Sequence, residues 1–177
     1  MPLPVLYIAQ APGVPGPHAR NARADARLSR FLNIALADLP CYLRWINVLS
    51  AFPGKSGKGD RFPLAEARQC AAKICLEPVT LLAGGNVARA FQLSPALFTW
   101  HDVQGCRVAV VPHPSGINRW WNDPAHVAQF RAFCCSLLGL SRYPRRRCSL
   151  RDETHAVLVH ALLNANAEFY LWRPCDW

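Results

Sequence analysis

Short apolar runs alternate with longer helical patterns along this chain, and that alternation limits the fold more than any other feature. Val5–Ala9 (VLYIA) reads as a buried strand that ends at the turn residues Gln10–Gly13. Over residues 24–38, Leu28, Phe31, Leu32, Ala35 and Leu36 recur on one helical face. Tyr42–Leu49 is a second strand, followed by the loop FPGKSGKGD. Residues 64–77 read as a helix and Val79–Ala83 as a third strand, which Gly84–Gly85 turn into a short helix over 86–92. Arg107–Val111 is a fourth strand, and helices follow over 124–138 and 151–166. Strands that alternate with helices predict an α/β protein. The expected architecture is a single-domain three-layer α/β/α sandwich around a central, mostly parallel four-stranded sheet. Arg142–Arg147 reads as a basic linker, leading to a C-terminal helix and a Trp-rich tail that dock back on the domain. In such sheets ligands bind outside the carboxyl ends of the strands. The informative loops are therefore Gln10–Asn21, Asn47–Asp60 and His113–Asn122.

Charge bears on the partner. The 177 residues carry 20 basic and 11 acidic side chains, a net charge of +9. That balance favours a polyanion, with nucleic acid first; the plain alternative is a basic protein with no nucleic-acid role. The eight cysteines include no CxxC pair, so neither zinc nor an iron–sulfur cluster is expected. The opening residues lack a basic stretch before their short apolar run, unlike a secretory signal. The expectation is reduced thiols in the cytoplasm of a prokaryote, or of a phage-infected cell. No run of 18 apolar residues suggests a membrane span. A monomer without metal or cofactor is expected.

The strongest chemical signal is Pro112–Trp120 (PHPSGINRW), directly after the fourth strand. Two prolines stiffen this loop by fixing their own φ and restricting the residue before each. A histidine held there can donate a hydrogen bond to an oxygen that becomes anionic. Ser115 and Gly116 permit close backbone approach to a phosphate. Ile117 and Trp120 are candidate apolar wedges for the gap left by a flipped base. Asn118 and Arg119 complete the candidate DNA-binding loop, with Arg119 aimed at phosphate. The competing reading is a strand-to-helix turn with a structurally satisfied histidine.

HPSGINR resembles the second signature motif of the uracil-DNA glycosylase superfamily, whose mismatch-specific branch has NPSG-x-NR forms. Ala9–Gly13 (AQAPG) is similar to that superfamily's first motif, placed just after the first strand. Ile46-Asn47-Val48 resembles its apolar strand ending in Asn, and Leu81–Ala88 its third strand with a small-residue turn. The resemblance covers residues 4–138. It implies a uracil-DNA glycosylase-like fold and a monofunctional DNA glycosylase acting on uracil or a modified pyrimidine. By the same resemblance, Gln10 and Ala11, Pro12 and Gly13 line the base pocket and help place water. Asn47 reads the polar edge of the base, its amide offering both a donor and an acceptor. His113 stabilises charge that develops on the pyrimidine O2. Preorganised donors of that kind help most in the transition state.

Departures from the family pattern matter as much. Ala11 stands where the most active uracil enzymes place Asp. Asp25 is a nearby carboxylate, read here as a helix-start charge. The cysteines of the iron–sulfur branch are missing apart from Cys70, which falls near one of those positions. A stacking aromatic of that branch is replaced by His18–Arg23 (HARNAR), which includes Asn21; Phe52 is the candidate substitute, or else a core residue. A wider pocket suited to a hydroxymethylated or glucosylated base is therefore expected. Lys55 and Lys58 lie in a glycine-rich loop able to grip phosphate, but the loop lacks P-loop spacing. His155 and His160 do not form HExxH. No lysine lies in a recognised motif, so no lyase step is expected. Two alternatives stay open: a non-catalytic binder of damaged or modified DNA on the same fold, and a basic α/β nucleotide-processing enzyme.

Overall fold

Four of the five strands in the main sheet run parallel, in the order β2-β1-β5-β7, and the fifth closes one edge antiparallel. The computed structural model describes residues 4–12, 22–57 and 59–140. Its elements, in chain order, are β1 (Val5–Ala9), α1 (Ala22–Leu32), a 3-10 turn (Leu36–Asp38), α2 (Leu39–Tyr42) and β2 (Leu43–Asn47). A two-strand ribbon follows, β3 (Lys55–Ser56) and β4 (Gly59–Asp60), then α3 (Leu64–Ala71), β5 (Val79–Ala83) and α4 (Gly85–Ala90). The hairpin β6 (Trp100–Val103) and β7 (Cys106–Val111), a 3-10 turn (Arg119–Asn122) and α5 (Pro124–Leu138) complete the series. Two compact units divide the chain, Met1–Pro144 and Arg145–Trp177, and every described element belongs to the first. Expectations for Gly13, His18, Arg20, Asn21, Lys58 and the stretch 142–177, including the helix at 151–166, lie outside the described residues. Among the described residues no helix is long and apolar enough to cross a membrane.

The fold is α/β, as expected, but its sheet is mixed and has five strands rather than four. The added strand, β6, has the sequence WHDV, which shows no alternation. A tight turn fixes it instead: Gln104 and Gly105 both have positive φ, at 53° and 77°. Two positive φ values in a two-residue loop match the twist that a hairpin needs. Predicted boundaries also shift. The helix expected over 24–38 stops at Leu32, because Asn33 turns left-handed at φ 58°. The Asn33 amide then donates to the Arg30 carbonyl (3.3 Å) and the Ile34 amide to the Ser29 carbonyl (3.1 Å). This paired closure satisfies the last helical carbonyls and ends the helix. The second helix stops at Ala71 rather than 77, unwinding through the Lys73 and Ile74 amides, which reach back only three residues.

Helices cover both faces of the sheet. On one face Val5, Tyr7, Leu81, Ala109 and Val111 pack with Leu28 and Phe31 of α1 and Phe130 of α5. On the other, Leu6, Ile8, Leu82 and Val108 pack with Ala67 and Ala71 of α3 and Val87 of α4. Strands buried on both sides need apolar residues at every position, which is why their sequences read as continuous runs. Each such Leu, Ile, Val or Phe contributes roughly 1.5–3 kcal/mol by leaving water. This core holds the strand ends rigid beneath the loops that follow them.

Candidate functional site

Gln10 and Asn47 meet through strand register. Ala9 of β1 pairs with Asn47 of β2 in parallel. The pairing continues past the strand ends, where the Val48 amide donates to the Ala9 carbonyl and the Leu49 amide to the Gln10 carbonyl, both at 2.9 Å. His113 emerges from β7, between the buried residues Pro112 and Pro114. All three residues line one cavity of about 60 Å³ at the carboxyl ends of the strands. At about 30 Å³ per water, such a volume holds about two waters. Ala11, Pro12 and Phe52 line the same cavity, and Ala24 of α1 joins them. Residues 18–21 of the polar stretch from which a wider pocket is expected lie outside the described residues; Arg23 is exposed on α1.

The hydrogen bonds of His113 define its chemistry. The Ser115 backbone amide donates to Nδ1 at 3.2 Å. An amide can only donate, so Nδ1 is the acceptor, and in the neutral ring the proton sits on Nε2. In that tautomer Nε2 is the ring nitrogen able to donate a hydrogen bond to an oxygen that becomes anionic. The main chain is pinned as firmly. The His113 carbonyl accepts from Asn118 Nδ2 at 2.9 Å and from Trp121 Nε1 at 2.7 Å. Trp121 is buried and stacks on Phe31 of α1, with ring centroids 4.2 Å apart. The loop is thus tied to the core through one indole.

This arrangement revises two expected roles. Asn118 is a strut: its amide nitrogen holds the His113 carbonyl, and its Oδ1 accepts from the Trp120 amide at 3.1 Å. Trp120 is half-buried, with its ring stacked on His126 at 4.6 Å, so it is packed into the loop base and does not project as a wedge. Ile117 does project, at 79% exposure. Gly116 and Arg119 are exposed and Ser115 is half-buried; Lys55 is exposed on β3 and is not itself among the residues lining the cavity. A second, more open concavity of about 330 Å³ shares Gln10 and His113 and extends over Gly84, Asn86, Arg89 and Trp120. Gln10 and His113 therefore stand on the wall between two depressions.

Sequence reading missed Trp45, Arg61 and Phe62, which also line the first cavity. Arg61 and Phe62 follow β4, and the ribbon's register brings them back: the Arg61 amide donates to the Gly54 carbonyl at 2.9 Å. Their signal lay in the length of the loop after β2, which is long enough to fold back over the strand ends. It also missed Trp121, whose partner Phe31 lies on a distant helix.

Among the described residues no Asp or Glu lines the first cavity, and Arg61 is the one permanent cation in that lining. Asp25 lies in the first turn of α1, as expected, but is buried rather than a surface charge. It lies close enough to Tyr7 to act electrostatically on the phenol. Burial holds the Tyr7 phenol well above its ordinary pKa, with smaller contributions from Cys134 and Asp25. Among the described residues no group of three or more His, Cys, Asp or Glu could hold a metal ion. In comparison with known proteins, no family model matches this sequence and no curated protein is significantly similar to it.

Proposed function

We propose that this chain is a monofunctional DNA glycosylase of the uracil-DNA glycosylase type, with that type's three-layer α/β/α architecture. It takes one pyrimidine, uracil or a modified base, out of the DNA stack and hydrolyses the N-glycosidic bond. The observation that carries the reading is the meeting of Gln10, Asn47 and His113 in one small cavity at the strand ends, with His113 Nδ1 accepting from the Ser115 amide. The base enters with its O2 toward His113 and its amide edge toward Asn47. As the C1′–N1 bond breaks, its electron pair goes to the base, and Nε2–H stabilises the charge gathering on O2. A water oxygen, positioned with help from Gln10, bonds to C1′; one water proton ends on the released base. Exposed Ile117 fills the gap left in the stack. DNA enters as substrate with its backbone held by the net positive charge of the chain. No cofactor takes part.

Among the described residues the cavity lining holds no carboxylate, which supports a slow enzyme that depends on leaving-group stabilisation. The same observation favours a second reading, a non-catalytic binder of modified or damaged DNA. Incubating the protein with oligonucleotides carrying uracil or a modified pyrimidine, then cleaving abasic sites with alkali, separates the two. Strand scission at the target base supports the enzyme; tight binding without scission supports the binder. Neither binding nor scission on any substrate would overturn both.

A further inference from the structure

Helix α1 lays two residues of one face along the site. Ala24 lines the cavity, and Arg27, three residues on and so on the same side of the helix, reaches the loop that carries His113. A β-carbon placed on Gly116 would lie 3.4 Å from Arg27 Nη1. That nitrogen is buried and has no hydrogen-bond partner. A buried donor without an acceptor is costly, and native structures seldom keep one without a reason. The guanidinium cannot shed its charge to escape the cost. An anionic oxygen at the Gly116 rim would relieve it, and Arg is shaped to bind phosphate through two parallel hydrogen bonds.

From this juxtaposition we infer that Arg27 is a phosphate ligand for the nucleotide whose base occupies the cavity. The inference rests on the DNA-binding reading above and adds a named contact to it. A base seated between Ala24 and His113 must leave its sugar and phosphate at the cavity mouth. Ser115 and Gly116 follow the lining residues His113 and Pro114 directly in the chain, and the missing side chain at Gly116 lets backbone and phosphate approach each other. Arg27 supplies the charge from the helix side of the same gap. Its guanidinium turns from an unpartnered position to a paired one when the phosphate arrives, so the contact forms only with the nucleotide flipped.

The test pairs a protein change with a DNA change. Wild type and Arg27→Gln are titrated against a duplex with one uracil, and against the same duplex in which the phosphates flanking the uracil are replaced singly by neutral methylphosphonates. At one of those positions the neutral phosphate weakens wild type about tenfold and leaves Arg27→Gln nearly unchanged. The slope of log affinity against log salt falls by about one in Arg27→Gln and stays near wild type in Arg27→Lys. Melting temperatures of the variants confirm folding, and the wild-type arm with modified DNA stands even if Arg27→Gln does not fold. If wild type binds the duplex but no methylphosphonate weakens it, or if both proteins weaken equally, the inference is overturned and the glycosylase reading survives. If wild type binds no DNA at all, that reading fails and takes the inference with it.

Discussion

A β-carbon placed on Gly84 would sit 2.9 Å from the β-carbon of His113. The end of β5 is therefore moulded around the histidine at the end of β7. Gly84 also has φ 91°, a value that L side chains rarely adopt, and its amide donates to the Val111 carbonyl at 2.8 Å. Space, conformation and hydrogen bonding all require glycine here. Gly84→Ala should lower stability by about 1–3 kcal/mol. It should reduce excision more than that loss explains, because the strain is relieved by moving His113. Comparing the urea midpoint with single-turnover rates at a temperature where both proteins are fully folded checks this. An unchanged rate would show that His113 tolerates displacement.

His113 itself is open to a graded test. His113→Ala removes the Nε2–H donor and the acceptor for the Ser115 amide. Excision should fall about 10²–10³-fold, with affinity for uracil DNA changed only a few-fold. His113→Asn should keep part of the activity, since an amide can accept from Ser115 and donate to O2 at once. Equal loss in the two variants would mean that the ring's shape, and not its donor, matters.

Much of the scaffold was legible because strands buried on both faces leave unbroken apolar runs, and the strands at 5–9 and 79–83 fall where those runs do. The meeting of Gln10, Asn47 and His113 followed from placing each at a strand end, since parallel strands bring their carboxyl ends together. What stayed hidden depends on contacts between distant segments. Nothing local distinguishes Trp121 from Trp120, yet one is buried against Phe31 and the other lies half-open beside His126. Asn118 read as a DNA contact because its residue type suits one; its partner, the His113 carbonyl, appears only once the loop folds. Arg61 enters the cavity through the β3–β4 ribbon, two strands too short to leave a periodic signal.

Arg61 carries the permanent charge of the cavity lining among the described residues, and no carboxylate is found beside it there. A cation close to a leaving base stabilises the anion that forms, more in the transition state than in the ground state. Arg61→Gln should lower kcat by about tenfold or more and raise KM less. Arg61→Lys should recover part of kcat. A change confined to KM would assign Arg61 to DNA backbone binding instead.

Alkaline stability reports on the buried pair beneath the site. Burial raises the pKa of the Tyr7 phenol, and burial followed by the neighbouring Cys135 raises that of the Cys134 thiol. Both groups stay protonated in the folded chain at pH values where the unfolded chain releases their protons, near 8.5 for Cys and 10 for Tyr. Above those values the folded state binds more protons than the unfolded state, so stability falls as pH rises. Below about pH 8 neither group contributes a slope. The slope should steepen near pH 10, where each such group costs up to about 1.4 kcal/mol per pH unit. Tyr7→Phe removes a hydroxyl that has no hydrogen-bond partner, so it should leave stability at pH 7 nearly unchanged and flatten the decline above pH 10. Denaturant melts of the two proteins between pH 7 and 11 decide it: parallel curves would show that Tyr7 ionises as readily in the folded chain as in the unfolded one.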